Sequence, residues 1–511
     1  MSDYTQWSSA ARFFGVDKPS WMPEEDQERV AAYNKYDQIY WNDPRQFALR
    51  VLEGEEPLYI PNARIVVDTT AHYVMKGLQI VPEGNQALKD ALKAFLDREM
   101  FDARFTSAKH TGVARGDYVF HMTANPAKAD GTRISLNSVD PGSVFPIYDE
   151  DVPDKMVGCH IAVQYTKPDE PGKTYIRKLT YRLEETTGTR RVTREEGIYE
   201  LEPKWYGPRP KLDKVILPKA YLDPRITSIP VYWFKNRAWD GEDFGASELR
   251  GFESMLQSVS QGSTDIAASL SLEGLGVYAT DGGRPVDDQG NETDWEVAPG
   301  KVMEVPAGAY FRRVEGVSSI TPAKDQIDYV ESKLMEASSL SDVALGKVDA
   351  QVAQSGIALA IKFMPTLAKI EERDKAGIGK LTQMFYDWKT WHAVFEREEL
   401  DGEILPTIGD KLPQDRVARV NELNNMLDRR VISTKYYRQE MEKLGYKFPS
   451  NIEDEIDEDL ERVKSTSVVQ FEDPVADTSG VGSASPDNTL EDKNSSNNSN
   501  RPNESSGTEA K

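Results

Sequence analysis

The stretch Leu249-Arg-Gly-Phe252-Glu-Ser-Met-Leu256-Gln-Ser-Val259-Ser-Gln-Gly-Ser263-Thr-Asp-Ile266-Ala-Ala-Ser-Leu270 decides the architecture. Its apolar and small positions recur in alternating steps of three and four, the spacing of one seam along a helix. A helix over 245–272 follows, roughly 40 Å long at the usual rise per residue. Residues 274–320 then change texture. Val277–Ala279, Trp295–Val297, Val302–Val305 and Tyr310–Val314 are strand-like, and Gly282-Gly283, Pro299-Gly300 and Pro306-Ala307-Gly308 are the turns between them. Helical spacing returns at Ile327, Val330, Leu334 and Ala337, with Pro322 suited to a first turn. A β insert of this size cannot bury both faces alone, so two helices flanking it make a stalk with a tip.

Upstream, Glu24–Trp41 has helical spacing and ends at Asp43-Pro44. Further helices are expected after Pro61 and from Gln86, the latter with Leu88, Leu92, Phe95, Leu96 and Met100 on one side. From Gly116 the runs 117–123, 132–138, 156–165, 173–184, 188–194 and 196–204 read as strands of an antiparallel sheet, which makes this region α+β. Downstream of the stalk, Ser355 to Phe395 reads as one long helix. Pro365 inside it removes a hydrogen bond and predicts a kink. An α-helical block covers 413–446, with Ser433 placed to cap its last helix and Gly445 to end it. Residues 1–25 read as an arm that needs a partner to be ordered, and the Ser/Asn/Asp/Glu-rich tail reads as disordered.

The chain has 511 residues, enough for about three domains. Its formal charge is −23, which argues against an electrostatic nucleic-acid binder or a partner at an anionic membrane surface. No run of about 18 apolar residues occurs, so no membrane span is expected, and no secretory signal is read at the N-terminus. Cys159 is the only cysteine, which excludes internal disulfides and multi-cysteine metal sites. It sits in an apolar strand-like run and reads as a buried, inert thiol.

Catalytic signatures are missing. Gly172-Lys173-Thr174 lacks the upstream glycine of a phosphate loop and reads as a hairpin turn. The five histidines are scattered. Asp287, Asp288 and Asp294 lack the ligand spacing of a calcium loop, and Glu453–Glu461 reads as a solvated helix face. A carboxylate hydrolase using Asp287 and Asp294 has little support, because carboxylates are abundant throughout the chain. No enzyme activity, cofactor or metal is expected.

The order of elements resembles the portal proteins of tailed bacteriophages. The likeness covers about 26–460. It is carried by Ile229-Pro-Val-Tyr-Trp-Phe-Lys-Asn236, Phe244-Gly-Ala-Ser-Glu-Leu249, the β insert with its returning helix, Ala353-Gln-Ser-Gly-Ile-Ala-Leu359 and Ile60-Pro-Asn-Ala-Arg-Ile-Val-Val-Asp68. The resemblance implies a portal-like subunit in these parts: an N-terminal arm, 1–25; an α+β wing, 26–242; a stem helix, 243–272; a β-rich clip, 273–321; a second stem helix, 322–341; a tunnel loop, 342–356; the long kinked helix of the wing, 357–409; an α-helical crown, 410–460; and a disordered tail, 461–511.

It also implies a dodecameric ring at one capsid vertex, through which double-stranded DNA passes weakly and without sequence preference. The implied partners are the large terminase subunit, a head–tail adaptor, and the major capsid and scaffolding proteins; no membrane is involved. The place of action is the virion, after assembly in the host cytoplasm. Another virion head–tail component, an adaptor or minor head protein, is the alternative, disfavoured because a small adaptor needs no stalk.

Within that layout, Gly346, Lys347, Val348, Asp349 and Gln351 are expected in the tunnel loop. Lys324, Asp325, Asp328 and Glu331 are expected on the channel side of the stem. Leu249, Phe252, Leu256, Val259, Ile266, Ile327, Val330 and Leu334 are expected to pack the stem helices against each other and against neighbouring subunits. Carboxylates on the remaining helix faces, Glu248, Glu253, Asp325, Asp328, Glu331 and Glu336, would repel phosphate and let DNA slide. Lys324, Lys333 and Lys347 are either weak cationic rings or ordinary surface lysines.

Overall fold

The computed structural model describes residues 24–459 apart from 52–55, 150, 153–154, 171, 187, 203–208, 240, 276, 285–288, 293–307, 315–319, 348–355, 410, 412–415, 447, 450–451 and 453–454. The chain divides into two units, Met1–Pro413 and Gln414–Lys511. Most of the arm, the strand-like runs Trp295–Val297 and Val302–Val305, and the tail from 460 onward lie outside the described residues.

In the first unit the order is α1 (Glu24–Tyr40), α2 (Asn62–Tyr73), β1 (Leu78–Gly84), α3 (Gln86–Arg98), α4 (Phe101–Arg115), β2 (Asp117–Ala124), β3 (Ile134–Val139), β4 (Val144–Tyr148), β5 (Met156–Thr166), β6 (Thr174–Thr186), β7 (Thr189–Glu202), β8 (Arg209–Tyr221) and β9 (Val231–Lys235). Then come α5 (Glu253–Leu275), β10 (Val277–Thr280), β11 (Phe311–Val314), α6 (Thr321–Ala337), α7 (Gly356–Phe395) and β12 (Gly402–Ile408). The class is α+β, with antiparallel pairing between the described strands.

Strand β2 is the centre of the body. It is buried over its first six residues, as a strand covered on both faces must be. It lies between β3 and β9 in a three-stranded sheet. Tyr118 and Phe120 stand opposite Phe234 and Tyr232 of β9, so these four side chains share one face. That face packs on α4 and α7, with Phe105 stacked 6.0 Å from Phe120 and the Tyr232 hydroxyl donating to Asp387 of α7 at 3.0 Å. His121 points the other way, toward the five-stranded sheet, and meets the Tyr181 hydroxyl at 3.0 Å. The layers are therefore helices, three strands, five strands.

The five-stranded sheet runs β4-β5-β6-β7-β8. The runs 188–194 and 196–204, expected as two strands, form the single strand β7 over Thr189–Glu202, and 203–204 lie outside the described residues. Register shifts on either side of Glu196 and at Ile198/Tyr199 absorb the irregularity that looked like a break. At the outer edge, β8 exposes Leu212, Val215, Ile216 and Tyr221. Pro210 and Pro218 together with Lys211, Lys214 and Lys219 interrupt what would otherwise be an aggregation-prone edge.

The first stalk helix starts at Glu253, eight residues later than the seam spacing predicts. Residues 245–249 form a strap instead. Ala246 N–H donates to the Arg237 carbonyl at 3.0 Å, Glu248 N–H to the Val113 carbonyl at 3.0 Å, and the Ser247 hydroxyl to the Ala114 carbonyl at 2.5 Å. Bonds to Arg237 and to the end of α4 thus win over about two more turns of helix. The strap approaches the body so closely that a Cβ on Gly245 would overlap the Gly116 carbonyl. A Cβ on Gly116, which has φ +119°, would overlap the Gly245 carbonyl. The returning helix α6 also stops early, at Ala337 rather than 341, where Ser339 turns to φ +56°.

The second unit contains α8 (Arg416–Asp428) and α9 (Thr434–Lys443). Ser433 is the N-cap of α9, its side chain accepting from Tyr436 N–H at 3.1 Å. Ser433→Ala is expected to cost about 1 kcal/mol locally, read as a roughly fivefold faster hydrogen exchange of the Tyr436 amide.

Candidate functional site

The stalk and the turn behind it are built from three layers of contact. The first is the helix pair. A Cβ on Gly262 of α5 would lie 3.0 Å from Ile327 of α6, so a glycine lets these helices approach there. Leu249, Leu256, Leu334 and Leu340 join Tyr36, Ile39, Val66 and Val67 of α1 and α2 in one buried cluster. Within the single chain, α1 and α2 thus share in burying the leucines of the seam. Leu249, Leu256, Val259 and Leu334 are buried within the single chain. Phe252, Ile266, Ile327 and Val330 are half-buried.

The second layer is a polar zipper along α5. Gln261 accepts from Arg50 N–H at 2.8 Å and donates to the Arg50 carbonyl at 3.0 Å. Ser260 accepts from Ile60 N–H at 3.2 Å, and Thr264 accepts from Leu58 N–H at 3.0 Å. These side chains satisfy backbone groups of Arg50, Leu58 and Ile60, which lie outside any described strand.

The third layer is the turn 338–347, which follows α6 and rests on α7. Ser341 N–H donates to Thr366 Oγ1 at 3.0 Å, and the Thr366 hydroxyl donates to the Ser339 carbonyl at 2.9 Å. Lys369 Nζ donates to the Ser338 carbonyl at 2.6 Å and to Thr70 Oγ1 at 3.2 Å. Lys369 also pairs with Glu248 of the strap, and Arg373 bonds the same carboxylate at 2.5 Å. Thr366 is wholly buried, and Glu248 and Arg373 are buried with it. Burial lowers the pKa of both cations, and Glu248 acts against that shift.

The expected site residues distribute unevenly. Gly346 and Lys347 are exposed at the end of the turn, Gly346 at φ +75° with open space around it. Lys347 N–H donates to the Asp342 carbonyl at 2.8 Å. Val348, Asp349 and Gln351 lie outside the described residues, as do Asp287, Asp288 and Asp294. Lys324, Asp325 and Asp328 are exposed on α6. Glu331 is not free there: it accepts from Asn62 Nδ2 at 2.9 Å. Two more carboxylates expected on a free face are engaged, Glu248 as described and Glu253 with Lys35 at 2.7 Å. Glu336 is exposed and pairs with Lys333 at 2.6 Å. Pro365 lies within α7, which is continuous from Gly356 to Phe395. Between α2, α6, the turn and α7 runs an open groove of about 1420 Å³, with Arg64, Asp68, Asp328, Glu331, Lys347 and Lys362 among its lining residues.

A second buried polar centre lies where the strap meets the body. Asp117 is wholly buried and accepts from the Tyr33 hydroxyl at 2.6 Å, Trp233 Nε1 at 2.8 Å and Gly245 N–H at 2.8 Å. Burial raises its carboxyl to about 6, against the donors and the Arg29 charge, which lower it. Arg29 lies within 5.7 Å of the rings of Tyr33, Phe145, Trp233 and Phe244 and donates to the Pro141 and Val144 carbonyls.

Among the described residues no group of three or more His, Cys, Asp or Glu side chains is placed to hold a metal. No described helix is long and apolar enough to cross a membrane. Cys159 is wholly buried, and burial pushes its thiol up. Thr366, Lys369 and Arg373 were missed in the sequence. Their spacing of three and four marks a polar stripe, and such a stripe on an amphipathic helix normally faces water.

No protein-family model matches the chain, and no curated protein does. Among solved structures, it is similar to a chain of the virion of a native gene transfer agent particle, at 12% identity and TM-score 0.39. That match covers 84% of this chain and 98% of the other. It is also similar to a chain of the neck of such a particle, computed with C12 symmetry, at 13% identity and TM-score 0.40. There the coverage is 84% and 96%.

Proposed function

We propose that this chain is a portal subunit, which assembles into a ring around a channel for double-stranded DNA. The observation that carries this reading is the stalk. Helix α5 leaves the α+β body through the strap, the β10–β11 ladder pairs Val277–Thr280 with Phe311–Val314, and α6 returns to the same body. A turn then leads to α7, a 40-residue helix, after which β12 pairs with β1. This is the element order of a wing, stem, clip, stem, tunnel loop and wing.

In a closed ring each subunit offers two different faces. The exposed Asp325 and Asp328, repeated around the ring, disfavour tight phosphate binding, which suits a channel that must let DNA slide. The chain supplies no catalysis in this reading. The large terminase subunit docks on the ring during packaging and a head–tail adaptor afterwards, with capsid and scaffolding proteins around it in the virion. Variants at Gly346, Lys347 or Asp349 are expected to leave ring assembly intact and to reduce the DNA packaged or retained in particles. Normal DNA filling in all three would overturn the loop assignment.

A further inference from the structure

The turn 338–347 has few ways to be held. Ser339 is at φ +56°, Gly346 has open space around it, and Lys347 is exposed. Leu340 is buried in the cluster with α1 and α2, and the hydrogen bonds that hold the turn's backbone from outside come from one stripe of α7. The Thr366 hydroxyl accepts from the Ser341 N–H and donates a hydrogen bond to the Ser339 carbonyl, closing a ring of bonds across the sharpest point of the turn. One helical turn further on, Lys369 holds the Ser338 carbonyl while pairing with Glu248. Glu248 belongs to the strap that starts α5, and its own N–H is held by the Val113 carbonyl. One carboxylate thus connects the entry of the first stalk helix to the exit of the second.

We propose that Thr366 is the positioning residue for the turn, and that Lys369 and Glu248 couple the turn's placement to the head of α5. Thr366 is wholly buried and acts by fixing where Gly346 and Lys347 stand. The consequence for DNA rests on the portal reading, whereas the coupling itself does not.

The test compares Thr366→Val, which keeps the shape and loses the hydroxyl, with Thr366→Ser, which keeps the hydroxyl. The first readout is hydrogen exchange of the Ser341 amide in the full chain. It is expected to accelerate roughly tenfold in T366V and to stay near the parent rate in T366S. The second is a nitroxide on Lys347→Cys, since native Cys159 is buried and does not label. Its spectrum is expected to sharpen toward free motion in T366V and in Lys369→Met, and not in T366S. Equal exchange and equal spectra in T366V and T366S, with both variants folded, would overturn the proposal. The DNA content of particles is read separately. A loosened turn with normal DNA filling leaves the coupling standing and counts against the portal reading. Altered filling with an unchanged turn overturns the coupling.

Discussion

Replacing Glu248 by alanine is expected to destabilise the first unit by about 3–5 kcal/mol, because it leaves two buried cations without their shared counter-charge. Glu248→Gln keeps the shape and is expected to lose most of the same stability. The pH dependence separates a charge defect from a packing defect. Burial already holds the Lys369 amine below the ordinary lysine value of 10.5. Without Glu248 its folded-state pKa falls further below its unfolded value. Between those two values the unfolded chain binds more protons than the folded one, so stability rises with pH there. The Glu248 defect is therefore expected to shrink as pH rises toward 10, read from urea midpoints at several pH values. A defect that is constant with pH would mean that lost packing, not unpaired charge, causes it.

The second large effect concerns Asp117. Asp117→Ala leaves the Tyr33 hydroxyl, Trp233 Nε1 and Gly245 N–H buried without an acceptor, at an expected cost of about 3–5 kcal/mol. The native carboxyl titrates near 6, above its ordinary value of 3.8. Between those values the folded state holds the extra proton, so this group's contribution to stability falls as pH rises from about 4 to about 6. Asp117→Asn keeps acceptor capacity and cannot ionise. It is expected to flatten that part of the stability profile, while Asp117→Ala lowers the whole curve. A profile for Asp117→Asn as steep as the parent's would show that another group carries the slope.

The elements with a clean period were legible in the sequence. Helix α1, the strands β2 and β5, the returning α6 and the long α7 all announce themselves by the spacing of apolar residues. Others carry no such signal. Helix α4 follows α3 with only Glu99 and Met100 between them, and Met100 reaches φ +47° without being glycine, so no breaker marks the boundary. Strand β8 is an edge with two prolines and four Lys/Arg residues, which makes it look like a loop. Pairing of β1 with β12 joins residues more than 300 positions apart and leaves no local trace.

The seam's spacing marks where burial occurs and not which surface supplies it. Spacing tells that Leu249, Leu256 and Leu334 are buried, not which surface buries them. Leu249 keeps the period although its backbone belongs to the strap, because burial depends on where the side chain lands and not on helical hydrogen bonds. The attachment of the turn depends on a threonine and a lysine of α7, whose partners come from the turn, the strap and α2. Only the folded chain brings these together.

The central claim, a ring around a channel, is tested most directly by electron microscopy of the purified full-length protein, with class averages of end views. The portal reading predicts closed rings with a central hole and about twelve subunits. Compact monomers or dimers with no ring, across low and high salt and over a range of protein concentrations, would contradict it.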